Sequence, residues 1–256
     1  MGKPRANIKN TVLLTATITP PVNAVQLSRV DPSLRLHDYT TSLIFYLDEL
    51  RKGVISGLIF AENSDSDIQS LQSLVAAHPM KDSVEFISFQ GLDYPPEYGR
   101  GYGEFKLVDH VMRHSKLVKS MDPADKIWKI TGRYCLENIG SILRTAPDDV
   151  DFYCNCRNHP KAWVDLYVLS WNRSGYAGLV ENICQKIKEG QTPRSAEEAF
   201  RVEIDQQKSG LRLAKRFRSV PVLSGYRGLD NKSYQDMRLK LFIRRVALLV
   251  APRWWV

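Results

Sequence analysis

Two short segments of this sequence join glycines to fixed charges. The first is Gly99-Arg100-Gly101-Tyr102-Gly103-Glu104, and the second is Lys129-Ile130-Thr131-Gly132-Arg133-Tyr134. Glycine lets backbone N–H groups approach a ligand closely. A helix is predicted from Phe105 to Val118, and its N-terminus adds partial positive charge beside the first segment. Lys129 and Arg133 supply full positive charges, so the two segments together predict a site for a polyanion.

Alternating strands and helices position these segments. Strands are predicted over residues 12–18, 54–61, 83–89 and 127–130, with a helix that starts at Pro32 and another over residues 65–77. This order predicts an α/β fold in which a mostly parallel central sheet is flanked by helices. Beyond Asn138 the pattern is less regular. It predicts strands over residues 150–156, 163–170 and 220–226 and helices over residues 175–189 and 195–207.

Polar residues cluster where the predicted strands end. Thr15, Thr17 and Thr19 close the first strand, Glu62 and Asn63 the second, Gln90 and Gly91 the third, and Thr131, Gly132 and Arg133 the fourth. Ligands of parallel sheets collect at the carboxyl ends of the strands. The sequence therefore predicts one crevice onto which four strand ends converge.

The net charge of +8 lies in the last fifth of the chain. Residues 208–256 hold twelve Lys and Arg against two acidic residues, and apolar side chains recur at helical spacing from Leu239 to Val250 before Trp254 and Trp255. Basic charge, an apolar face and terminal tryptophans are typical of a peripheral anchor on an anionic membrane. Residues 231–256 are predicted to be this tail, although a surface helix docked on its own core would show the same pattern. Nucleic-acid binding is disfavoured, because no recognised motif accompanies the charges.

The other compositional features favour a cytoplasmic globular protein. A 43% apolar content can bury a sizeable core, and no stretch approaches the roughly 18 apolar residues of a membrane-spanning helix. The N-terminus has no apolar segment of the signal-peptide type. Four irregularly spaced cysteines fit reduced thiols better than a disulfide framework. We therefore expect the protein at the inner face of the cell membrane.

The glycine segment is neither a P-loop nor a Gly-x-Gly-x-x-Gly motif. Together with Thr15-Ala16-Thr17-Ile18-Thr19-Pro20, Arg35 and Tyr39, Phe60-Ala61-Glu62-Asn63-Ser64 and the Lys-Ile-Thr-Gly-Arg-Tyr segment, it resembles bacterial glycosyltransferases of O-antigen and capsule assembly with a GT-A-like fold. The likeness covers residues 8–140. It implies a nucleotide-sugar donor across the strand ends, with Thr15, Thr17, Glu62 and Asn63 at the base and ribose. The full set of expected donor-binding residues is Thr15, Thr17, Arg35, Glu62, Asn63, Gly101, Tyr102, Gly103, Thr131, Gly132 and Arg227.

The sequence departs from the GT-A pattern at the metal motif. Where Asp-x-Asp is usual, the chain has Lys129-Ile130-Thr131-Gly132-Arg133, so two cations replace two carboxylates. Fixed cations can stabilise a departing diphosphate as a metal does. We therefore predict that catalysis needs no metal and no cofactor. Asp149-x-Asp151 is a competing metal motif that fits a solvated turn better, and Cys154, Cys156 and His159 lack a fourth zinc ligand.

Three carboxylates are candidates for the base that an inverting transferase needs, namely Glu104, Asp165 and Glu203. Asp165 interrupts an apolar strand, Glu104 could instead favour the helix dipole, and Glu203 could be a solvated helix residue. A retaining enzyme would need no such base. Lys129, Arg133, Glu104 and Asp165 are the predicted catalytic residues. Arg227 is expected at the donor phosphate or a lipid-linked acceptor, although turn chemistry also explains its glycine neighbours.

The sequence therefore predicts a transferase that moves a hexose-type sugar from a nucleotide donor to a lipid-linked or polysaccharide acceptor. Residues 1–230 would form the catalytic domain, divided into a nucleotide-sugar half over residues 1–140 and an acceptor half over residues 141–230. A sugar nucleotidyltransferase is the alternative enzyme, and it predicts acidic metal ligands near the phosphates. A basic membrane or nucleic-acid binding module is the non-enzymatic alternative, and it leaves the polar strand ends unexplained.

Overall fold

The structure is a computed structural model, and it describes residues 8–22, 27–207 and 210–234 together with Val246. The predicted tail over residues 231–256 lies outside the described residues except for residues 231–234 and Val246. Among the described residues, the helices lack the combination of length and apolarity that crossing a bilayer requires.

Eleven strands and seven α-helices are found in the described residues. The strands are β1 (Asn10–Ala16), β2 (Gly57–Glu62), β3 (Val84–Ser88), β4 (Lys126–Thr131), β5 (Cys135–Leu136), β6 (Phe152–Tyr153), β7 (Cys156–Arg157), β8 (Trp163–Val164), β9 (Val168–Trp171), β10 (Leu213–Ala214) and β11 (Leu223–Ser224). The helices are α1 (Pro32–Arg51), α2 (Gln69–Ala76), α3 (Gly99–His114), α4 (Lys116–Lys119), α5 (Ile139–Thr145), α6 (Arg173–Gly175) and α7 (Ala196–Gln206).

Seven strands form the central sheet in the order β10-β6-β9-β4-β1-β2-β3. β1 pairs in parallel with β2 and β4, and β2 pairs in parallel with β3. β9 runs antiparallel between β4 and β6, and β10 is parallel to β6. The predicted α/β fold with a mostly parallel sheet is confirmed, and one antiparallel strand joins the two predicted halves of the chain.

Helices cover both faces of this sheet. Alternate residues of β1 enter two separate cores, with Leu13 in one and Val12 and Leu14 in the other. The Leu13 core is closed by α3 and α7 through Phe105 and Phe200, whose rings meet edge to face. The other core is closed by apolar residues of α1 and α5. This alternation is what the period of two along a strand requires when both faces are buried.

The chain after β9 departs from the predicted helix over residues 175–189. The structure has instead the short α6, a π-helical turn at Tyr176–Val180 and a 3₁₀ turn at Ile183–Lys186. Asn182 has a φ of 57°, which ends the helical path, and its N–H donates to the Asp109 carboxylate 3.1 Å away. That contact from α3 replaces the helical hydrogen bonds.

Three predicted strands are shorter than expected. The strand over residues 150–156 is divided into β6 and β7, and the strand over residues 163–170 is divided into β8 and β9 around Asp165. The strand over residues 220–226 is reduced to β11, which pairs with β5 outside the central sheet. β1 to β4 all occur where strands are predicted, with ends that differ by up to three residues.

Candidate active site

A cavity of about 890 Å³ opens at the carboxyl end of the parallel strands. Thr15 ends β1, Asn63 follows β2 and Thr131 ends β4, and all three line it. The predicted site residues that line the cavity are Thr15, Thr17, Arg35, Asn63, Gly101, Gly103, Glu104, Thr131, Arg133, Asp165 and Arg227. The predicted residues outside its lining are Glu62, Tyr102, Lys129 and Gly132. The structure thus brings most of the predicted residues to the predicted crevice.

Glu104 is the central carboxylate of the cavity wall. Its Oε1 accepts from the hydroxyl of Thr15 at 2.6 Å and of Thr131 at 3.2 Å, and it lies 2.5 Å from Nζ of Lys129. Its side chain is 22% exposed, and within the described part of the chain its Oε2 accepts no hydrogen bond. One oxygen is therefore fixed by the protein, and the other is available to a ligand.

Lys129 lies beneath this wall. Its side chain is fully buried, and its ammonium donates to the Leu166 carbonyl at 2.6 Å besides pairing with Glu104. Residues alternate along β4, so Lys129 shares a face with Ile127 and enters the core covered by α3. This placement revises its predicted role, because Lys129 holds Glu104 and does not reach the cavity surface.

The two groups shift each other's ionisation. Burial works to raise the pKa of Glu104, but the Lys129 charge and the hydrogen bonds from Lys129, Thr15 and Thr131 outweigh it and lower the pKa. Burial lowers the pKa of Lys129, and the Glu104 charge opposes that effect. Glu104 is accordingly a carboxylate at neutral pH.

Arginines supply most of the positive charge of the cavity. Arg133 is 7% exposed, and its Nη1 donates to the Tyr226 carbonyl at 2.9 Å, but its buried Nε has no partner among the described residues. Arg227 is paired with Asp230 at 3.2 Å, and Arg100 is an exposed part of the wall. A buried guanidinium N–H without an acceptor is costly, and an anion in the cavity beside the guanidinium would offset that cost by electrostatic attraction.

Arg35 has a different arrangement. Its Nε donates to the Thr17 carbonyl at 2.7 Å, its Nη1 to the Arg29 carbonyl at 3.0 Å and its Nη2 to the Tyr39 hydroxyl at 3.1 Å. Burial, opposed by Tyr39, and the neighbouring Arg133 charge lower the pKa of Arg35. Arg35 therefore braces the strand end while adding its charge to that of Arg133.

The glycines of the first segment have a role that the sequence did not indicate. They lie inside the first turns of α3, where a Cβ on Gly101 would stand 2.3 Å from Cβ of Ala196, and one on Gly103 would stand 2.0 Å from the Tyr94 hydroxyl. Gly99 has a φ of 80°, which favours glycine. These glycines let α7 and Tyr94 pack against α3. Among the described residues no side-chain hydrogen bond caps the helix start, and the Glu189 carboxylate lies against Gly99 at this positive end.

Glu62 and Asn63 differ in what they offer a ligand. The Glu62 carboxylate is fully buried and accepts from the backbone N–H of Ile18 at 3.0 Å and of Ser64 at 2.9 Å. It fixes the loop after β1 and does not face the cavity, so the predicted ribose contact is not provided in this arrangement. Asn63 lines the cavity and accepts from the Thr17 hydroxyl at 2.6 Å.

Asp165 is surrounded by donors. It is paired with Arg157 at 2.8 Å and accepts from the Trp163 indole at 3.2 Å and the Tyr167 hydroxyl at 2.9 Å, as well as from Asn155 at 2.7 Å. Both aromatic residues line the cavity. Asp165 therefore orients Trp163 and Tyr167 and has little capacity left to accept a substrate proton.

The alternative metal motifs are engaged elsewhere. Asp151 is paired with Arg212 at 2.9 Å, and Cys154 and Cys156 are buried with their sulfur atoms 3.7 Å apart. In the described ranges, no three His, Cys, Asp or Glu side chains are grouped as metal ligands would be.

Among the cavity residues that the predicted set omits are Arg100 and Glu197. Arg100 stands inside the glycine segment, so its charge was visible in the sequence. Glu197 follows the helix cap Ser195, where an acid is expected for the helix dipole, so the sequence held no sign of a further role.

No family model matches this chain, and no curated protein matches it. Similar solved structures include a protein described as a nucleotide-diphospho-sugar transferase from Desulfovibrio desulfuricans G20, with 13% identity, 81% of this chain and 79% of that chain covered, and a TM-score of 0.49. A 4-diphosphocytidyl-2C-methyl-D-erythritol synthase is similar over 93% of this chain and 99% of its own, at 10% identity and a TM-score of 0.43. HddC from Yersinia pseudotuberculosis is similar over 85% of this chain and 93% of its own, at 12% identity and a TM-score of 0.44. The functional argument rests on the cavity residues.

Proposed function

We propose that this protein is a glycosyltransferase whose cavity binds a nucleotide-sugar donor by its diphosphate. The observation that carries the proposal is Arg133, a buried guanidinium in the cavity wall with one N–H that has no partner among the described residues. Arg35 lies close enough to Arg133 for the Arg133 charge to lower the pKa of Arg35. Two like charges held together in a partly dry wall favour a ligand that carries more than one negative charge.

The remaining features of the cavity fit a nucleotide sugar better than free phosphate. A volume of about 890 Å³ suits a ligand of that size. Hydroxyl and amide groups at the ends of β1 and β2 would meet the nucleoside. The free oxygen of Glu104 would accept from a sugar or ribose hydroxyl, and the exposed Arg100 in the first turn of α3 would add to the attraction for phosphate.

The proposed reaction transfers a hexose-type sugar to a lipid-linked or polysaccharide acceptor in bacterial surface glycan synthesis. The guanidinium groups of Arg133, Arg100 and Arg227 would stabilise the departing nucleoside diphosphate in place of a metal ion. Turnover is then expected to survive EDTA. A strict requirement for manganese or magnesium would contradict this part of the proposal.

The donor proposal is tested by replacing Arg133 with methionine, which keeps most of the side-chain length and removes the charge. Wild-type protein is screened against UDP-glucose, GDP-mannose and dTDP-glucose by thermal shift, since a ligand that binds only the native state raises the melting temperature. Arg133→Met should weaken the binding of the stabilising donor by about 10- to 100-fold, as expected for the loss of a charge-assisted contact of 1.5–3 kcal/mol. Arg113→Met is the matched control, because Arg113 is an exposed arginine outside the cavity lining. Equal donor binding by both variants would overturn the proposal.

A sugar nucleotidyltransferase would use the same cavity differently. It would release pyrophosphate from a nucleoside triphosphate and a sugar phosphate, whereas a glycosyltransferase releases a nucleoside diphosphate or monophosphate from a nucleotide sugar. Incubation with each substrate pair and analysis of the released phosphates separates the two. Pyrophosphate as the sole product would replace the glycosyltransferase assignment.

We also propose that residues 231–256 attach the protein to the cytoplasmic face of the membrane. The support is the sequence pattern of that segment, with basic residues beside apolar helical positions and two terminal tryptophans. Flotation with vesicles of anionic or neutral phospholipid, with and without residues 235–256, tests it. Binding that is independent of both lipid charge and tail would contradict it.

A further inference from the structure

The three carboxylates that the sequence offers as the base of the transfer reaction differ in their suitability. Glu104 is held as a carboxylate by Lys129 and two threonines, and Asp165 is occupied by four donors. Glu203 lies outside the cavity lining and pairs with Lys186 at 2.7 Å. None of the three combines access to the cavity with freedom to take up a proton.

Glu197, the second residue of α7, has both properties. It lines the cavity, its side chain is only partly exposed, and in the residues that the structure describes it forms no ion pair. Arg201, one turn further along the same helix, turns instead to Asp205 at 2.7 Å and to the Arg157 carbonyl at 2.8 Å. The Glu197 carboxylate accepts local hydrogen bonds from its own N–H and the Ser195 hydroxyl, and Arg201 does not neutralise it.

The packing of α7 against α3 brings Glu197 and Glu104 to one wall. Gly101 allows Ala196 to approach α3 at a distance that would leave no room for a Cβ. Ala196 directly precedes Glu197, and Gly101 is three residues before Glu104, which is one helical turn. Glu189 holds this arrangement, because its Oε1 accepts from the Ala196 N–H at 3.2 Å.

We propose that Glu197 contacts the acceptor and takes the proton of the attacking hydroxyl. This inference rests on the proposed function. The acceptor oxygen forms a bond to the anomeric carbon of the donor as its O–H proton passes to Glu197. The bond between the anomeric carbon and the phosphate oxygen breaks, and its electron pair leaves with the nucleoside diphosphate. A single displacement of this kind inverts the anomeric configuration.

The charged groups around Glu197 suit this role. Burial raises the pKa of Glu197 and the Glu189 carboxylate raises it further, which outweighs the hydrogen bonds from its own N–H and Ser195 and the charge of Arg100 on α3. Lys129 on β4 is near enough for the Glu197 charge to act on it. Among the cavity carboxylates, Glu104 has a lowered pKa and Glu197 a raised one, which is the arrangement that separates a permanent anion from a proton acceptor.

The test replaces Glu197 with glutamine in the full chain and measures release of nucleoside diphosphate from whichever of UDP-glucose, GDP-mannose and dTDP-glucose stabilises the wild type. Water serves as the acceptor. Glu197→Gln should slow release by about 100-fold or more, the usual contribution of a general base, and leave donor binding unchanged. Glu203→Gln is the matched control, because Glu203 is on the same helix, is similarly buried and lies outside the cavity lining.

Sodium azide distinguishes a base from a structural residue. Azide attacks the anomeric carbon as an anion and needs no proton removed, so it should restore release by Glu197→Gln and yield a glycosyl azide of inverted configuration. Wild-type turnover with water should fall as pH drops through the Glu197 pKa, whereas azide-supported turnover of the variant should lack that fall over the pH range in which azide remains an anion. Where the glutamine variant has a depressed melting temperature, Glu197→Ala is put through the same azide test.

The outcomes separate this inference from the proposed function. Near wild-type release by Glu197→Gln, a loss that azide does not restore, or a product of retained configuration would overturn the role of Glu197 and leave the donor site in place. A wild type that neither binds nor turns over any of the three donors would remove the proposed function and this inference with it.

Discussion

The ammonium of Lys129 and the carboxylate of Glu104 meet at 2.5 Å and join β4 to α3 beneath the cavity. The lysine is fully buried and the glutamate is 22% exposed, so the pair is anchored on the core side and open on the ligand side. Thr15 and Thr131 complete the contact from two strand ends. The wall of the site is therefore coupled to the core of the protein through one ion pair.

This coupling predicts a strong and non-additive effect on stability. Glu104→Gln leaves Lys129 charged and buried without its partner, so the free energy of unfolding should fall by about 3–5 kcal/mol. The double variant Lys129→Met with Glu104→Gln should lose less than the sum of the single changes. Urea unfolding of the four proteins measures both quantities.

A surface ion pair serves as the control for that series. Asp93 pairs with Lys106, and its side chain is 69% exposed. Asp93→Asn should cost no more than about 1 kcal/mol. Additive losses in the Lys129 and Glu104 series would show that the two side chains act independently, against the geometry described.

Alanine in place of glycine should have opposite effects on stability at two helix positions, one inside the contact between α3 and α7 and one outside it. Gly101→Ala would place a Cβ 2.3 Å from that of Ala196, and overpacking should lower the free energy of unfolding by about 1–3 kcal/mol. Gly140→Ala in α5 meets its nearest atom at 3.5 Å, so the better helix propensity of alanine should raise stability by up to about 1 kcal/mol. Thermal unfolding of both variants checks the signs. A Gly101→Ala protein as stable as the wild type would mean that α7 can move away from α3 to accommodate the added methyl group at little cost in free energy.

Asp151 predicts a pH-dependent part of the stability. Hydrogen bonds from the Arg212 side chain, with further donors at the Arg212 N–H and Asn172, lower the pKa of Asp151 below its ordinary value. Because the folded-state pKa is the lower one, this stabilisation is present above the unfolded pKa near 4 and is lost as pH falls through the folded pKa. Asp151→Asn should therefore lower the melting temperature at pH 7, and the gap to wild type should narrow toward pH 2.

An exposed aspartate provides the comparison for Asp151. Asp122 has no ion pair in the described ranges, and Asp122→Asn should leave the melting temperature nearly unchanged at both pH values. A constant gap between Asp151→Asn and wild type from pH 7 to pH 2 would show that the carboxylate charge contributes nothing.

The first half of the fold could be predicted because strand periodicity and strand-end chemistry are both visible in the sequence. Thr15, Asn63 and Thr131 were placed at one crevice on that ground, and the structure brings them there. The stretch over residues 175–189 is predicted as a helix. Most of its apolar residues are buried, but the positive φ of Asn182 and its bond to Asp109 are tertiary effects.

The location of the site could be predicted from the sequence, but the roles of its individual residues could be predicted less well. Lys129 carries the same charge as Arg133 in the sequence, and only the register of β4 shows that Lys129 points into the core while Arg133, beyond the strand, reaches the cavity. The sequence suggested a phosphate contact for Gly101 because glycine lets the backbone approach a ligand closely. Glycine also lets two helices pack closely, and this is its role in the structure. Distinguishing these uses requires knowledge of the neighbour, Ala196, which lies ninety-five residues away in the chain.

The antiparallel strand β9 has a practical consequence for dissecting the protein. Its residues Val168–Trp171 pair with β4 over the register from Ile130 to Ile127, so a fragment ending at residue 140 would expose the open edge of β4 in the middle of the native sheet. Exposed strand edges recruit further chains. We expect residues 1–140 expressed alone to be insoluble. They should become soluble when residues 141–256 are supplied as a second polypeptide, because the two pieces form one cooperative unit that neither can form alone.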